Sequence, residues 1–282
     1  MRIALIGAAG QLGTDLLKCL PHAHPLTHAE IEITDSQNVA AVLDPLAPDI
    51  VVNTAAYNLV DKAEDEPERA FAINAQGPET LARWCNEHNA TLVHVSTDYV
   101  FGADAGRTLP YTEADESGPL GVYGRSKLAG EMAVQGGCPR HFVIRTCGLY
   151  GQAATKSKGN FVKTMLRLAD ERSELKVVSD QHCTPSYTAD VAAMIAAILK
   201  TTEYGLYHVT NSGAATWHAV AAEVLRLAGK STPVIPIPSS EYPTKARRPG
   251  YSVLDCRKAE QLTGLTMPDW EDALGRYLAE IH

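Results

Sequence analysis

The chain opens on a short apolar run, Arg2–Ile6. It passes without a linker into Gly7-Ala8-Ala9-Gly10-Gln11-Leu12-Gly13, and then into a helical pattern over Leu12–Leu20 that Pro21 closes. A strand, a tight glycine turn and a helix in direct succession admit few folds. Glycines let the backbone turn sharply and let a ligand approach a helix N-terminus, where unpaired N–H groups and the helix dipole favour an anion. The spacing G-x-x-G-x-x-G also suits a purely structural turn. Its position at the first strand-to-helix turn favours a dinucleotide pyrophosphate.

The rest of the first two-thirds repeats the alternation. Ile50–Asn53, Thr91–Ser96 and His141–Arg145 read as short buried strands, and Pro67–His88 and Tyr123–Gln135 as helices. Strands alternating with helices imply βαβ units, and continuous apolar runs such as Ile50-Val51-Val52 imply a parallel sheet covered on both faces. The expected fold is therefore α/β: a Rossmann-like doubly wound parallel sheet with helices on both faces and a smaller C-terminal substrate-binding domain.

Beyond residue 150 the texture changes. Gly151–Gly159 reads as a polar loop, Asn160–Ala169 and Thr188–Lys200 as helices, Leu175–Ser179 and Leu206–Thr210 as strands, and Asp269–Ile281 as an amphipathic helix. Prolines 233, 236, 238, 243 and 249 confine the stretch from Ser231 to Gly250 to surface loops and edge strands. We expect residues 1–150 and about 176–210 to form the nucleotide-binding unit, and about 151–175 and 211–282 the substrate unit.

Composition removes several alternatives. With 25 Lys and Arg against 33 Asp and Glu, the formal charge of −8 disfavours general nucleic-acid binding. No apolar run reaches the roughly 18–20 residues of a membrane span. The apolar start runs straight into the glycine pattern, so it reads as a mature N-terminus rather than a signal peptide. Six scattered cysteines form no C-x-x-C pair, which points to a reducing cytoplasm rather than to disulfides or zinc.

The sharpest chemical signal is Tyr123-Gly-Arg-Ser-Lys127, which puts a phenol and an amine on one helix face. A nearby ammonium stabilises a phenolate, lowers the phenol's pKa and makes it a usable general acid for a carbonyl oxygen. The strand end at Ser96-Thr97 supplies hydroxyls where parallel sheets bind ligands. Taken singly, each has a bland alternative: a solvated Tyr/Lys face, or a turn hydroxyl. Past the second strand, His22-Ala-His-Pro-Leu-Thr-His28 offers no carboxylate before Glu30. Nothing there repels a 2′-phosphate, so NADPH is favoured and NADH remains possible. The histidines lack ligand spacing, and no metal site is assigned.

GAAGQLG at 7–13, VVNTAAYNLVDKAE at 51–64, STDYVFG at 96–102, YGRSKLAGE at 123–131 and RRPGYSVLD at 247–255 resemble the extended short-chain dehydrogenase/reductase family, and the resemblance runs over nearly the whole chain. The branch it resembles uses NADPH to reduce the C4 ketone of dTDP-4-dehydro-L-rhamnose to dTDP-L-rhamnose, for cell-wall polysaccharide. The resemblance implies Thr97, Tyr123 and Lys127 as the catalytic set. It also implies Gly7, Gly10, Gln11, Leu12 and Gly13 at the pyrophosphate, and Glu32 and Ile33 by the adenine. Ala55, Ala56 and Tyr57 would lie under the cofactor, with Ser96 and Lys127 at the nicotinamide end. Thr97, Asn160, Gln181, Arg247 and Arg248 become substrate candidates, and Asp61 and Lys62 lie near the mouth of the site. The implied partner is a nucleotide-sugar, and the implied assembly a monomer or homodimer. Some members carry an interfacial magnesium, whose dimerisation residues are not legible here.

Four positions here depart from the family pattern. Gly148 stands where an aromatic that could pack on a sugar is frequent, Cys183 replaces Gly, Ser186 replaces Thr, and Asn58 stands where Thr is frequent. These leave the hydride-transfer residues intact and bear on the sugar. Two other functions fit the same fold: a nucleotide-sugar epimerase or dehydratase that retains NAD, and a non-catalytic regulatory subunit like the partner of methionine adenosyltransferase. Thr97 is followed by Asp98-Tyr99 rather than an acidic pair, which speaks against a dehydratase.

Overall fold

In the computed structural model, residues 1–153 and 159–281 are described. Of the expected loop at Gly151–Gly159, residues 154–158 lie outside them. Six parallel strands form the central sheet: β1 (Ile3–Ile6), β2 (His24–Leu26), β3 (Ile50–Asn53), β4 (Thr91–Thr97), β5 (His141–Thr146) and β6 (Gly205–His208). Their spatial order is β6-β5-β4-β3-β1-β2, the doubly wound arrangement.

Side chains alternate between the two faces of each strand. Ile3 and Leu5 pack with Leu12 and Leu16 of α1 (Gln11–Cys19), and with Val191, Ile195 and Ile198 of Thr188–Ile198. Ala4 and Ile6 pack on the other face with Val39 and Leu43 of α2 (Ser36–Leu46), Leu81 of α3 (Gly77–Glu87) and Val134 of α4 (Val122–Gly137). The third core, distinct from both, gathers Tyr150 and Tyr187 with the helices Phe161–Glu171, Trp217–Leu227 and Trp270–Ile281. Leu175–Val178, which the expected division gives to the first unit from about residue 176, pairs in parallel with Val234–Ile237 rather than with the central sheet.

The helix expected over Pro67–His88 is interrupted. Pro67–Phe71 is α-helical, Ala72–Gln76 is a π-turn, and α3 follows. Pro78 has no N–H to give the Asn74 carbonyl, so the helix widens there. The π-turn presents Asn74, whose Oδ1 accepts the Tyr57 N–H at 2.8 Å and whose Nδ2 donates to the Ser126 hydroxyl at 3.0 Å. Gly130 allows this approach, since a Cβ there would lie 2.0 Å from the Asn74 carbonyl oxygen.

Candidate active site

At the carboxyl ends of the strands lies a cavity of about 320 Å³, lined by Gly10, Gln11, Leu12 and Gly13 of the glycine turn. Ala56, Asn58, Ser96, Thr97, Tyr123 and Lys127 also line it, together with Cys147, Gly148 and Leu149. The glycine turn is forced by contact. Gly7 has φ +80°, and a Cβ on it would lie 2.5 Å from the Thr54 hydroxyl. On Gly13 a Cβ would lie 2.3 Å from the Gly7 carbonyl. Helix α1 begins at Gly10 with no side-chain cap. Its first N–H groups therefore face the cavity uncapped, as an anion requires. The Gln11 side chain is occupied: its Oε1 accepts from the Gly151 N–H at 2.8 Å and from Asn160 Nδ2 at 2.9 Å.

Tyr123 and Lys127 stand one turn apart on α4, whose start is fixed by Glu64 Oε1 accepting the Val122 N–H at 2.7 Å. The Tyr99 ring meets Tyr123 edge-on, 5.8 Å between centroids. Burial pushes the Tyr123 phenol up to about 12, and the Thr97 side chain opposes that shift. The expectation that Lys127 holds this pKa down is corrected here. Lys127 Nζ turns inward, donating to the Val95 carbonyl at 2.7 Å, and burial draws its own pKa down to about 8. In this geometry desolvation of the phenol dominates, and Lys127 is not among the groups that shift it.

Residues that the sequence did not single out complete the setting. Glu131, one turn beyond Lys127, makes a buried ion pair with Arg145 at 2.7 Å, and Ser96 donates to the same carboxylate. The only sequence signal for Glu131 is its helical spacing from Lys127. His94 lies behind Lys127 and Asn53 behind His94, and as members of apolar runs neither shows its chemistry in the local pattern.

Other expected site residues fall elsewhere. Ile33 is a core residue against Gly77, and the Glu32 carboxylate is taken by the N–H and hydroxyl of Thr34, so neither lines the cavity. Ala55 gives its N–H to Asn53, and the Tyr57 hydroxyl bonds Glu66, leaving Ala56 as the member of that trio on the cavity wall. Asn160 caps Phe161–Glu171 and spends its amide on Gln11, Gly151 and Tyr277. Gln181 is half-buried outside the cavity lining. Arg247 is exposed, while Arg248 is bound to Asp61 at 2.7 and 3.1 Å, so the two guanidiniums do not act as a free pair. Lys62 pairs with Glu66, not with its neighbour Asp61.

The pattern that defines the RmlD substrate binding domain matches residues 1–282. The chain belongs to this family. Among curated relatives, the dTDP-4-dehydrorhamnose reductase of Salmonella typhimurium is 40% identical over 100% of this chain and 98% of its own. That of Sinorhizobium fredii is 39% identical over 98% and 96%. Among solved structures, a dTDP-4-dehydrorhamnose reductase of Bacillus anthracis in complex with NADP aligns with TM-score 0.93 at 38% identity, covering 99% of each chain. One of Clostridium acetobutylicum aligns with TM-score 0.94 at 37% identity, covering 100% and 99%. A UDP-glucose 4-epimerase of Thermotoga maritima, at 18% identity, shares the Rossmann-like fold with TM-score 0.86. Among the described residues, no helix is long and apolar enough to cross a membrane.

Proposed function

We propose that this chain reduces the C4 ketone of dTDP-4-dehydro-L-rhamnose with NADPH, giving dTDP-L-rhamnose in the cytoplasm, as a monomer or homodimer. The observation that carries this reading is the convergence of Thr97, Tyr123 and Lys127 on a cavity that starts at an uncapped, glycine-built helix end. The relatives' names supply the substrate class. The site suits a dinucleotide: the Gly7 and Gly13 positions leave no room for side chains, and α1 offers free N–H groups to a pyrophosphate. Bound there, reduced nicotinamide supplies a hydride.

Tyr123 donates the proton. A phenol held up to about 12 by burial stays protonated at neutral pH. An oxygen turning into an alkoxide is far more basic than a phenolate, so transfer from Tyr123 runs downhill once charge develops. Thr97 lies beside it with its hydroxyl bonded to Asp98 Oδ1 at 3.1 Å and accepting the Tyr99 N–H at 3.2 Å, which fixes the side chain that orients the carbonyl. The sugar nucleotide would lie between the sheet and the C-terminal unit.

The test is to follow loss of reduced nicotinamide absorbance with dTDP-4-dehydro-L-rhamnose, first with NADPH and then with NADH. Stoichiometric oxidation with NADPH is expected. Cofactor binding without oxidation would overturn the reading, and tightly retained NAD with no net oxidation would favour an epimerase.

A further inference from the structure

His94 is fully buried, faces the active-site lysine and has no part in the chemistry above. It is paired across the β3–β4 ladder with Asn53, itself fully buried. The Asn53 amide is oriented by its own bond: Oδ1 accepts the Ala55 N–H at 3.1 Å. Its NH₂ end therefore faces His94 Nδ1, at 3.2 Å. An NH₂ group only donates, so Nδ1 must be the bare, accepting nitrogen. Burial, and then the Lys127 charge, hold His94 well below the ordinary histidine range, which keeps the ring neutral. A neutral ring has one proton, and it is left on Nε2.

Nε2 points at Lys127 Nζ, 3.4 Å away. An N–H meeting an ammonium finds no lone pair, whereas meeting an amine it finds one. The contact is thus neutral-to-repulsive while Lys127 is charged and attractive once it has lost a proton. Other groups around Lys127 act differently. The Val95 carbonyl accepts from Nζ in either state. Glu131, from the same helix, favours the ammonium, but its carboxylate is shared with Arg145 and Ser96. Tyr123, one turn earlier on α4, is uncharged at neutral pH.

We propose that Asn53 and His94 are positioning residues: Asn53 fixes the Nε2–H tautomer of His94, and that tautomer favours proton release from Lys127, which restocks Tyr123 after each reduction. This rests on the reading of Tyr123 and Lys127 as the proton-donating centre. The balance is simple. Each reduction takes one hydride at the carbonyl carbon and one proton at its oxygen. The proton leaves the Tyr123 hydroxyl, the phenolate takes one from Lys127 across the cavity both line, and the amine takes one from water. A group that gives up a proton in every cycle works best with an affinity near the working pH.

The first experiment needs no substrate. In the full chain labelled with ¹⁵N-histidine, NMR should show a non-titrating ring at position 94 with Nδ1 bare and Nε2 protonated. A proton on Nδ1 would overturn the proposal whether or not any variant folds. The second follows the Lys127 side-chain methylene by ¹³C NMR across pH. In Asn53→Asp, an accept-only carboxylate turns the tautomer over, Nε2 accepts from the ammonium, and the Lys127 midpoint should rise by about one pH unit or more. The uncharged Asn53→Leu releases the tautomer and should move the midpoint the same way by less. A shift in Asn53→Asp alone would be charge only, and no shift in either would mean packing only; both outcomes defeat the proposal. With substrate, the high-pH limb of kcat should follow the Lys127 midpoint while KM for the sugar holds. Absence of reductase turnover with the NMR result intact would sink the functional reading and with it the restocking of Tyr123, and would leave only the tautomer and its effect on Lys127 standing.

Discussion

Two stretches of the cavity wall are built differently. At the Tyr123–Lys127 end, the walls are strand termini of the central sheet and one long helix, and the polar groups are paired: Glu131 with Arg145 and Ser96, Asn53 with His94, Asn74 with Tyr57 and Ser126. At the Cys147–Leu149 end, the wall is a backbone turn with Gly148 at φ +52°, backed by Pro185 and by Trp217 of the C-terminal unit. A mutually bonded buried network cannot shift one member without unpairing another. A glycine turn against an aromatic ring can be re-cut one side chain at a time. On the proposed function, reaction chemistry falls to the sheet end of this wall and choice of sugar to its glycine-turn end.

The largest way to break this contrast is Tyr123→Phe. Loss of the proton donor should lower kcat by about 10²–10⁴-fold, while cofactor affinity, measured by nicotinamide fluorescence, stays close to wild type. Near-normal turnover would remove Tyr123 from its role. Next comes the buried ion pair. Glu131→Leu strands the Arg145 guanidinium, whose Nη1 already lacks a partner, and should cost about 3–5 kcal/mol in urea unfolding. A loss below about 1 kcal/mol would mean that the sheet end is less tightly coupled than its hydrogen bonds imply.

Legibility in the sequence follows the same divide. The strands Ile50–Asn53, Thr91–Thr97 and His141–Thr146 and the helix carrying Tyr123 and Lys127 were readable because buried parallel strands are continuous apolar runs and catalytic spacing is helical. The expectations left out β2, α2, Trp217–Leu227 and Arg257–Thr263. The first has three residues with Pro25 in the middle, and α2 contains Pro45, so local signals oppose both. Trp217–Leu227 did carry a signal, the Thr216 cap and apolar residues at 220, 221, 224 and 225. At the site, the glycine turn, Thr97, Tyr123 and Lys127 were legible because their chemistry shows in their residue types. Where Lys127 points is set by His94 and Val95 of β4, far off in sequence, a tertiary fact no local pattern carries. Asn160 and Arg248 look like ligand residues by type, yet their bonds to Gln11 and Asp61 come from segments far off in sequence.

A third prediction sharpens the sugar end. Gly148→Trp puts a side chain at a positive φ and within 3.2 Å of Trp217 Cη2 and Pro185 Cα. Strain and overpacking together should cost about 1–3 kcal/mol. Pairing it with Trp217→Ala should recover part of that, since the two would compete for one space. In both variants KM for the nucleotide-sugar should move and KM for NADPH should not. Equal changes in both would mean that the two ends are not separable.

The smallest effect is expected where the two units meet at the rim. Arg248 and Asp61 bond at 2.7 Å, with side chains 21% and 44% exposed. The Arg248 guanidinium holds the Asp61 carboxyl below its ordinary value, with backbone N–H groups adding to the effect and desolvation opposing it. A pKa lower in the folded chain than in the unfolded one means the pair's stability is fully present above the unfolded value, near ~3.9, and is lost as pH falls through the folded one. Solvent screening of a carboxylate this exposed keeps the contribution small, about 0.2–1 kcal/mol. Urea midpoints of the wild type and Asp61→Asn should therefore differ slightly at neutral pH and converge in acid. A gap that persisted below the folded pKa would mean that Asp61 acts through the hydrogen bond its Oδ1 accepts from the Ala246 N–H, at 3.1 Å, rather than through its charge. That outcome would tie the C-terminal unit to the sheet by packing of the 246–248 turn, and would make the rim part of the rigid end.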